Sequence, residues 1–290
     1  MTFTETHGTS SRNAGGLISS SVPKDARRTP SQQRSSAGSE ISALTLNVAA
    51  AAVDRAAAIL RWLVSRTDDV IVLTETSAGP GTLLLVDGLE AQGYTIVRTS
   101  AVRDRGALVA SRLPVQRRLC SELRVTLPWR VAAVEFADAA LVVVGVYVPS
   151  RDRSPEKIAR KRAFIESLVA GIAQLPQRVR RSMVIAGDYN VVSRHHDPPL
   201  AGYFAYEYKM LDSLAGLGFV AGHELHAERR QPHSWIGRTG TGYLYDYFHF
   251  GPDLTPFVAS CSYEHRTRDL RLSDHAAVAA TLRVAARSGH

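Results

Sequence analysis

From residue 41 the chain carries a pattern that few folds can accommodate. Residues 41–48 are a short apolar run ending in Leu46-Asn47-Val48. Residues 50–65 then place Val53, Ala56, Ile59, Leu60, Leu63 and Val64 at helical spacing. Residues 69–73 are a second apolar run, followed by Thr74-Glu75-Thr76. Strand, helix and strand in that order predict a βαβ unit, and so an α/β sheet whose ligands gather beyond the carboxyl ends of its strands. Asn47 and Glu75 stand at two such ends.

The same device recurs later. Residues 183–190, Met-Val-Ile-Ala-Gly-Asp-Tyr-Asn, read as a buried strand that ends on a carboxylate and a carboxamide two residues apart. If the backbone stays extended, period two puts Asp188 and Asn190 on one side. One group then orients or deprotonates a nucleophile while the other donates to a developing charge. Between the two regions the pattern predicts a helix over 82–92 and strands over 94–99, 106–111, 115–120, 130–136 and 140–148, arranged as an antiparallel meander. The last of these leads into Tyr147-Val148-Pro149-Ser150. A helix over 154–175 follows, with Ser154 as cap, Pro155 at its first position and Pro176 beyond its end. A helix over 209–217, a strand over 243–250 containing Asp246, and Ser273-Asp274-His275 before a closing strand over 276–282 complete the pass. No internal repeat or Gly/Pro-rich linker divides residues 41–285, which read as one domain.

Residues 1–40 are rich in Ser, Gly, Thr and Arg without hydrophobic periodicity and read as a disordered tail; residues 286–290 form a C-terminal tail. The chain as a whole has 45% hydrophobic and 21% charged residues, the balance of a globular protein, and no run long enough for a membrane span. Its net charge of +8 comes almost wholly from Arg and resides mainly outside the tail. Arg presents a planar fork suited to phosphate, which favours a polyanionic partner, although an Arg- and Ala-rich composition explains the charge equally well. Cys120 and Cys261 are too few for a disulfide framework or a thiolate metal site, and suit a reducing compartment. Without a signal-peptide core, and with Glu5 and Asp25 against a transit peptide, the expected location is cytoplasmic. No protein partner is inferable.

Asn47, Glu75, Tyr147, Asp188, Asn190, Asp246, Asp274 and His275 are the candidate site residues. Singly, each has an ordinary reading as a turn residue, a solvated acid or a packed aromatic. Together they make an oxygen-rich set with one imidazole, which suits a hard cation such as Mg²⁺ or Mn²⁺ sharing its coordination with phosphate. His275, paired with a further carboxylate, would stay protonated against a phosphate.

In order, Leu-Asn-Val, Leu-Thr-Glu, Val-Tyr-Val-Pro-Ser, Gly-Asp-Tyr-Asn, Tyr-Asp-Tyr and Ser-Asp-His over residues 41–285 resemble the endonuclease/exonuclease/phosphatase superfamily, within it the exodeoxyribonuclease III and apurinic/apyrimidinic endonuclease branch. The resemblance implies a deoxyribonuclease I-like four-layer α/β sandwich, two mixed β-sheets face to face and flanked by helices. It implies that Glu75 binds the divalent ion with help from Asn47 and Asp274, and that Asp188 aligns the attacking water. Asn190 and Tyr147 would hold the scissile phosphate, and His275, supported by Asp246, would stabilise the phosphorane-like transition state. Where other branches carry a His, Tyr147 matches the repair-nuclease form. The chain departs from the family pattern at Ala49, where Asn or Asp is usual, at Thr74, where Gln is usual, and at Leu244, where an Arg-Ile-Asp-Tyr pattern has Arg.

Three readings follow. The first is a metal-dependent nuclease acting on DNA, in repair. The second is a phosphoesterase on a lipid head group or other small ester, and the third a non-catalytic nucleic-acid-binding member. Trp235 is expected either in the core or stacked against a substrate sugar or base. The run Arg151, Arg153, Lys157, Arg160, Lys161 and Arg162 reads as a solvated face that serves as a phosphate track beside the site, with Arg151 and Arg153 as substrate-binding residues. His195-His196-Asp197 reads as a polar loop, and His223 and His226 as surface histidines.

Overall fold

The computed structural model describes residues 39–99, 104–137, 139–225 and 231–284; residues 1–38 and 286–290 of the expected tails, and His226, lie outside them. Strand β1 (Ser39–Asn47) begins two residues ahead of expectation, and helix α1 (Val53–Arg66) three residues behind it. The delay has a backbone cause. Ala49 and Ala50 leave the strand at φ 45°, a left-handed conformation that a helix cannot contain. Strand β2 (Val70–Thr76) pairs parallel to β1, with Asn47 beside Thr74. A parallel pair needs a crossover, which α1 supplies.

Helix α2 (Pro80–Ala91) starts at a proline whose φ is already helical. Strands β3 (Thr95–Arg98) and β4 (Gly106–Ser111) pair antiparallel, and β4 adds to β2. Strands β5 (Val115–Arg118), β6 (Val131–Phe136) and β7 (Val142–Tyr147) form a separate antiparallel ribbon. The expected meander is therefore two pieces. The chain crosses between layers after β4, where Pro114 cannot donate to a ladder.

Helix α3 (Pro155–Gln174) matches expectation apart from its cap: Ser154 makes no side-chain capping bond, and Asp152 Oδ1 instead accepts the Ser154 N–H at 2.9 Å. After α4 (Gln177–Arg181), β8 (Met183–Asp188) pairs parallel to β7, so α3 is a second crossover. Helix α5 (Ala205–Gly216) starts four residues early because Glu207 Oε2 accepts the Phe204 N–H at 2.8 Å. Then come β9 (Val220–Ala221), α6 (Gly222–Leu225) and a small hairpin of β10 (Trp235–Ile236) and β11 (Gly242–Tyr243). The strand expected over 243–250 is divided, and only β12 (Asp246–Phe250) joins β8. At the break the Leu244 and Tyr245 amides donate to His196 Nε2 and Ser234 Oγ rather than to a strand. Strand β13 (Val258–Glu264), α7 (Arg266–Asp269) and β14 (Ala277–Val284) close the chain.

Two mixed six-stranded sheets result, in the orders β13-β14-β1-β2-β4-β3 and β5-β6-β7-β8-β12-β9. Alternation along β2 shows the layering. Val70 and Val72 face the other sheet and pack with Val143, Val184 and Phe248. Ile71 and Leu73 face outward onto Ile59 and Leu63 of α1 and Leu85 of α2. The second sheet does the same, Val144 and Ile185 meeting Phe164 and Leu168 of α3. The molecule is a four-layer α/β sandwich. Strands β1, β2, β7 and β8 end, and β12 and β14 begin, where the site residues meet (see below). Among the described residues no helix is long and apolar enough to cross a membrane.

Of two histidines expected or passed over as surface groups, His249 is inside and His223 is half-buried. His249 is buried, stacks on Tyr189 at 5.4 Å between ring centroids, and its Nδ1 has no hydrogen-bond partner among the described residues. Burial, with a smaller contribution from the charge of His223, holds its pKa down at about 3, and burial holds that of His223 at about 4. A histidine depressed in the fold contributes stability above its unfolded pKa, near 6.5, and loses it as pH falls below that value. Between about pH 6.5 and pH 5 His249 should cost about 2 kcal/mol, or about 4–8 °C in melting temperature. Melting curves at both pH values should show this drop, and His249→Phe should shrink it. An equal drop in the variant contradicts the assignment.

Candidate active site

At the shared edge of the two sheets the strand ends bring their polar side chains into one network. Asn47 ends β1 and is fully buried. Its Nδ2 donates to Asp188 Oδ2 at 2.9 Å, lies 3.2 Å from Glu75 Oε1 and 3.4 Å from His275 Nε2. One amide from the first sheet thus touches three ionisable groups, one of them on the second sheet. The Asn47 carbonyl accepts the Ser273 hydroxyl at 2.5 Å, which ties the Ser-Asp-His turn to the end of β1.

Asp188 ends β8, 1% exposed. Its Oδ1 accepts the Asn190 backbone N–H at 2.9 Å, and its Oδ2 also accepts Asn190 Nδ2 at 3.0 Å. Asn190 is on the same side as Asp188, yet not by continued extension: its φ is +49°, and the aspartate closes a turn over it. Gly187 is required here. It sits at φ +139°, and a Cβ on it would meet the Val146 carbonyl oxygen at 2.0 Å. Burial pushes the Asp188 carboxyl up from the ordinary range; Asp246 and Glu75 add to this and His275 opposes it.

Asp246 opens β12 directly opposite Asp188. Its Oδ2 bonds His275 Nδ1 at 2.7 Å, while its buried Oδ1 has no hydrogen-bond partner among the described residues. Burial disfavours the His275 cation, but the Asp246 charge and hydrogen bond outweigh it and raise the imidazole well above its usual pKa. Tyr147 ends β7 and donates to Glu75 Oε1 at 3.0 Å. Burial first, then Glu75 and Asp188, keep this phenol neutral and so a donor. Glu75 lies at a register shift in β2 with φ +54°, a left-handed conformation that turns its side chain out of the strand alternation.

A cleft of about 520 Å³ opens onto this network, and Glu75, Asn190, Asp274 and His275 line it. Trp235 is on its wall, half-buried, with Nε1 donating to Asp274 Oδ2 at 3.0 Å and its ring tilted against Tyr243 and Tyr245. Arg151 also lines it, but its guanidinium is held by Glu207 and stacks over Phe204 at 4.4 Å. Arg153 is exposed and outside the cleft lining.

The donor set fits a hard divalent cation. Glu75 uses only Oε1 for its hydrogen bonds among the described residues and shares the cleft with the exposed carboxylate of Asp274. A second cluster, Asp188, Asp246 and His275, has one ligand atom from each within 4.8 Å of the others. Both Asp188 oxygens already accept N–H donors and Asp246 Oδ2 is taken by His275 Nδ1, which leaves Asp246 Oδ1 as the carboxylate oxygen of the cluster with no hydrogen-bond partner among the described residues.

Several residues of the site were not anticipated. Lys161, assigned by sequence to a solvated face, is 2% exposed and donates to the Asn190 carbonyl and to Glu207 Oε1, each at 2.7 Å. Its signal was present: Lys161, Phe164, Ile165, Leu168 and Ile172 share one helical stripe. Arg130 lies over the Tyr147 ring at 4.5 Å and pairs with Asp104 at 2.7 Å. Residues 195–197 are a loop, as expected, with His195 and Asp197 exposed, but His196 turns inward: it is buried, with Nδ1 at 2.8 Å from the Pro198 carbonyl and Nε2 accepting from Leu244.

The molecule is thus an α/β protein of the four-layer sandwich class, with Glu75, Asp274 and His275 lining a cleft where strand ends of its two sheets meet. The sequence profile of the Endonuclease/Exonuclease/phosphatase family matches residues 44–275, and the chain belongs to that family. Its fold is similar to the 3′-5′ exonuclease NExo from Neisseria meningitidis, at TM-score 0.68 and 20% identity, covering 83% of this chain and 98% of that one. A 3′ phosphatase NExo from Neisseria, bound to product DNA hairpin, gives the same values. An AP endonuclease from Archaeoglobus fulgidus matches at TM-score 0.68 and 19% identity, covering 83% and 99%. No curated protein sequence matches the chain.

The geometry makes the His275 charge dependent on Asp246. In Asp246→Asn the imidazole loses the opposing charge while staying buried, so its pKa should fall from above the ordinary value to below it. Imidazole nitrogen shifts followed by NMR across the pH range check this. A His275 that stays protonated above neutral pH in the variant contradicts it.

Proposed function

We propose that the chain is a divalent-metal-dependent phosphodiesterase, foremost a nuclease that hydrolyses DNA phosphodiester bonds in a cytoplasmic repair process. The observation that carries this reading is the Asn47–Asp188 contact beside the His275–Asp246 pair. It sets a buried carboxylate that can take a proton next to an imidazolium that can stabilise negative charge. In this reading Asp188 orients the attacking water, and its raised proton affinity suits it to accept the water's proton. Asn190 and the neutral Tyr147 hydroxyl hold the non-bridging oxygens of the scissile phosphate. His275, kept charged by Asp246, faces the charge that builds on the phosphorane-like transition state. Glu75 and Asp274, with Asn47, would hold Mg²⁺ or Mn²⁺, which when bound polarises a phosphoryl oxygen. Trp235 and Tyr243 offer faces for a sugar or base. The activities of the proteins that share the fold, exonuclease, 3′ phosphatase and AP endonuclease, support DNA as the substrate.

Purified protein with Mg²⁺ or Mn²⁺ should cleave abasic or recessed-end DNA duplexes, stop with chelator and recover on metal addition. Asp188→Ala should lower turnover about a thousandfold, the range of a positioned acid–base group. Hydrolysis of small phosphate esters with DNA and RNA left intact would replace this reading with a small-ester phosphoesterase. Salt-sensitive DNA binding without turnover of any substrate would instead indicate a non-catalytic member.

A further inference from the structure

The basic run offered by the sequence as a phosphate track is largely neutralised within the fold. Arg151 and Lys161 hold Glu207, Lys157 holds Asp152, Arg160 holds Asp104 and Arg162 holds Glu166. Another group of cations is not neutralised in this way. Arg55, Arg268 and Arg271 line a cavity of about 450 Å³ together with Ala49, Ser273 and Asp274.

Among the described residues the hydrogen-bond acceptors of Arg55 are backbone carbonyls, while Asp269 and Asp246 act on Arg268 through their charge without an ion-pair contact. Arg55 donates to the carbonyls of Val48, Ala49 and Leu272 at 2.8–3.0 Å. Arg268 lies 3.3 Å from the His233 carbonyl and 2.8 Å from His265 Nδ1. Arg271 is exposed. None of the three forms an ion pair with a carboxylate among the described residues. Carbonyl acceptors hold two of the forks in place without cancelling their charge, so less freedom is lost when an anion binds. The backbone around the cavity is unusual as well: Ala49 and Arg271 both sit at left-handed φ without being glycine. Ala49 contributes only a methyl group, so no side chain fills the space from that side.

Position gives the cavity its meaning. Asp274 lines both this cavity and the catalytic cleft, so the two adjoin at that residue. We infer that the arginine cavity is a second phosphate subsite, which takes a backbone phosphate of the strand whose neighbouring phosphate occupies the cleft. This rests on the reading that the substrate is a polynucleotide. A polynucleotide track then runs from the cleft past Asp274 toward α7, away from α3.

The test is a binding measurement that needs no turnover. A fluorescently labelled DNA duplex is titrated with the full chain in chelator, and anisotropy is followed over a series of salt concentrations. Arg271→Gln should weaken binding about tenfold and reduce the salt slope by about one, as the loss of one phosphate contact does. Arg162→Gln, on the neutralised run, should change neither by more than about twofold. Unchanged affinity and slope in Arg271→Gln, equal weakening in Arg162→Gln, or no duplex binding by the wild type each overturn the subsite. Inorganic phosphate should displace the duplex only as far as chloride of matched ionic strength. Displacement beyond that, lost in Arg271→Gln, assigns the cavity to free phosphate and overturns the strand assignment. Arg271-dependent binding with no cleavage when Mg²⁺ is added would leave the subsite standing while the nuclease reading falls.

Discussion

A carboxylate taken almost wholly out of water must be met by hydrogen-bond donors, and Asp188 sets that demand for the whole molecule. Three N–H donors meet it: the Asn190 backbone and side chain from its own turn, and Asn47 from the other sheet. The last is possible only because two parallel pairs, β1–β2 and β7–β8, end at a common edge. Each pair exists because a helix carries the chain back across its sheet. The polar network thus depends on the apolar one, since the core of Val72, Val143, Val184 and Phe248 between the sheets holds the two edges together.

Much of this was legible in the sequence, for a physical reason. Short apolar runs that end in a polar residue mark strands whose ends face a site, and Asn47, Tyr147 and Asp188 are the last residues of such strands. The order of the runs and the βαβ opening were enough to expect an α/β sheet with its site at the strand ends, whereas the sandwich of two sheets came from the family resemblance. What was hidden depended on backbone exceptions and long-range contacts. The left-handed Glu75 and Asn190 interrupt the simple alternation of their strands, so their placement came from a bulge and a turn rather than from period two. The division of the meander between two sheets left no mark in the pattern of individual strands. Strand β13 was missed because it alternates small polar residues at a sheet edge.

Lysine and histidine were the other weak point, since composition assigns them to the surface by default. Lys161 is inside because Glu207 and the Asn190 carbonyl satisfy it, and His196 because it takes the Leu244 amide. The departures from the family pattern also acquire physical content. Leu244 packs into the core beneath α3 and α5, and the methyl of Thr74 lies 3.1 Å from where a Gly187 Cβ would stand. Ala49 opens the arginine cavity. None of these removes a member of the central hydrogen-bonded network.

The central claim is that Asp188 directs water onto phosphorus. Cleavage in water enriched in heavy oxygen reads this out directly, by mass spectrometry of the fragments after a single turnover. The account predicts one heavy oxygen per cleavage, carried on the phosphate product and absent from the hydroxyl product. Heavy oxygen on the hydroxyl fragment, or unlabelled products from elimination or cyclisation, would contradict it.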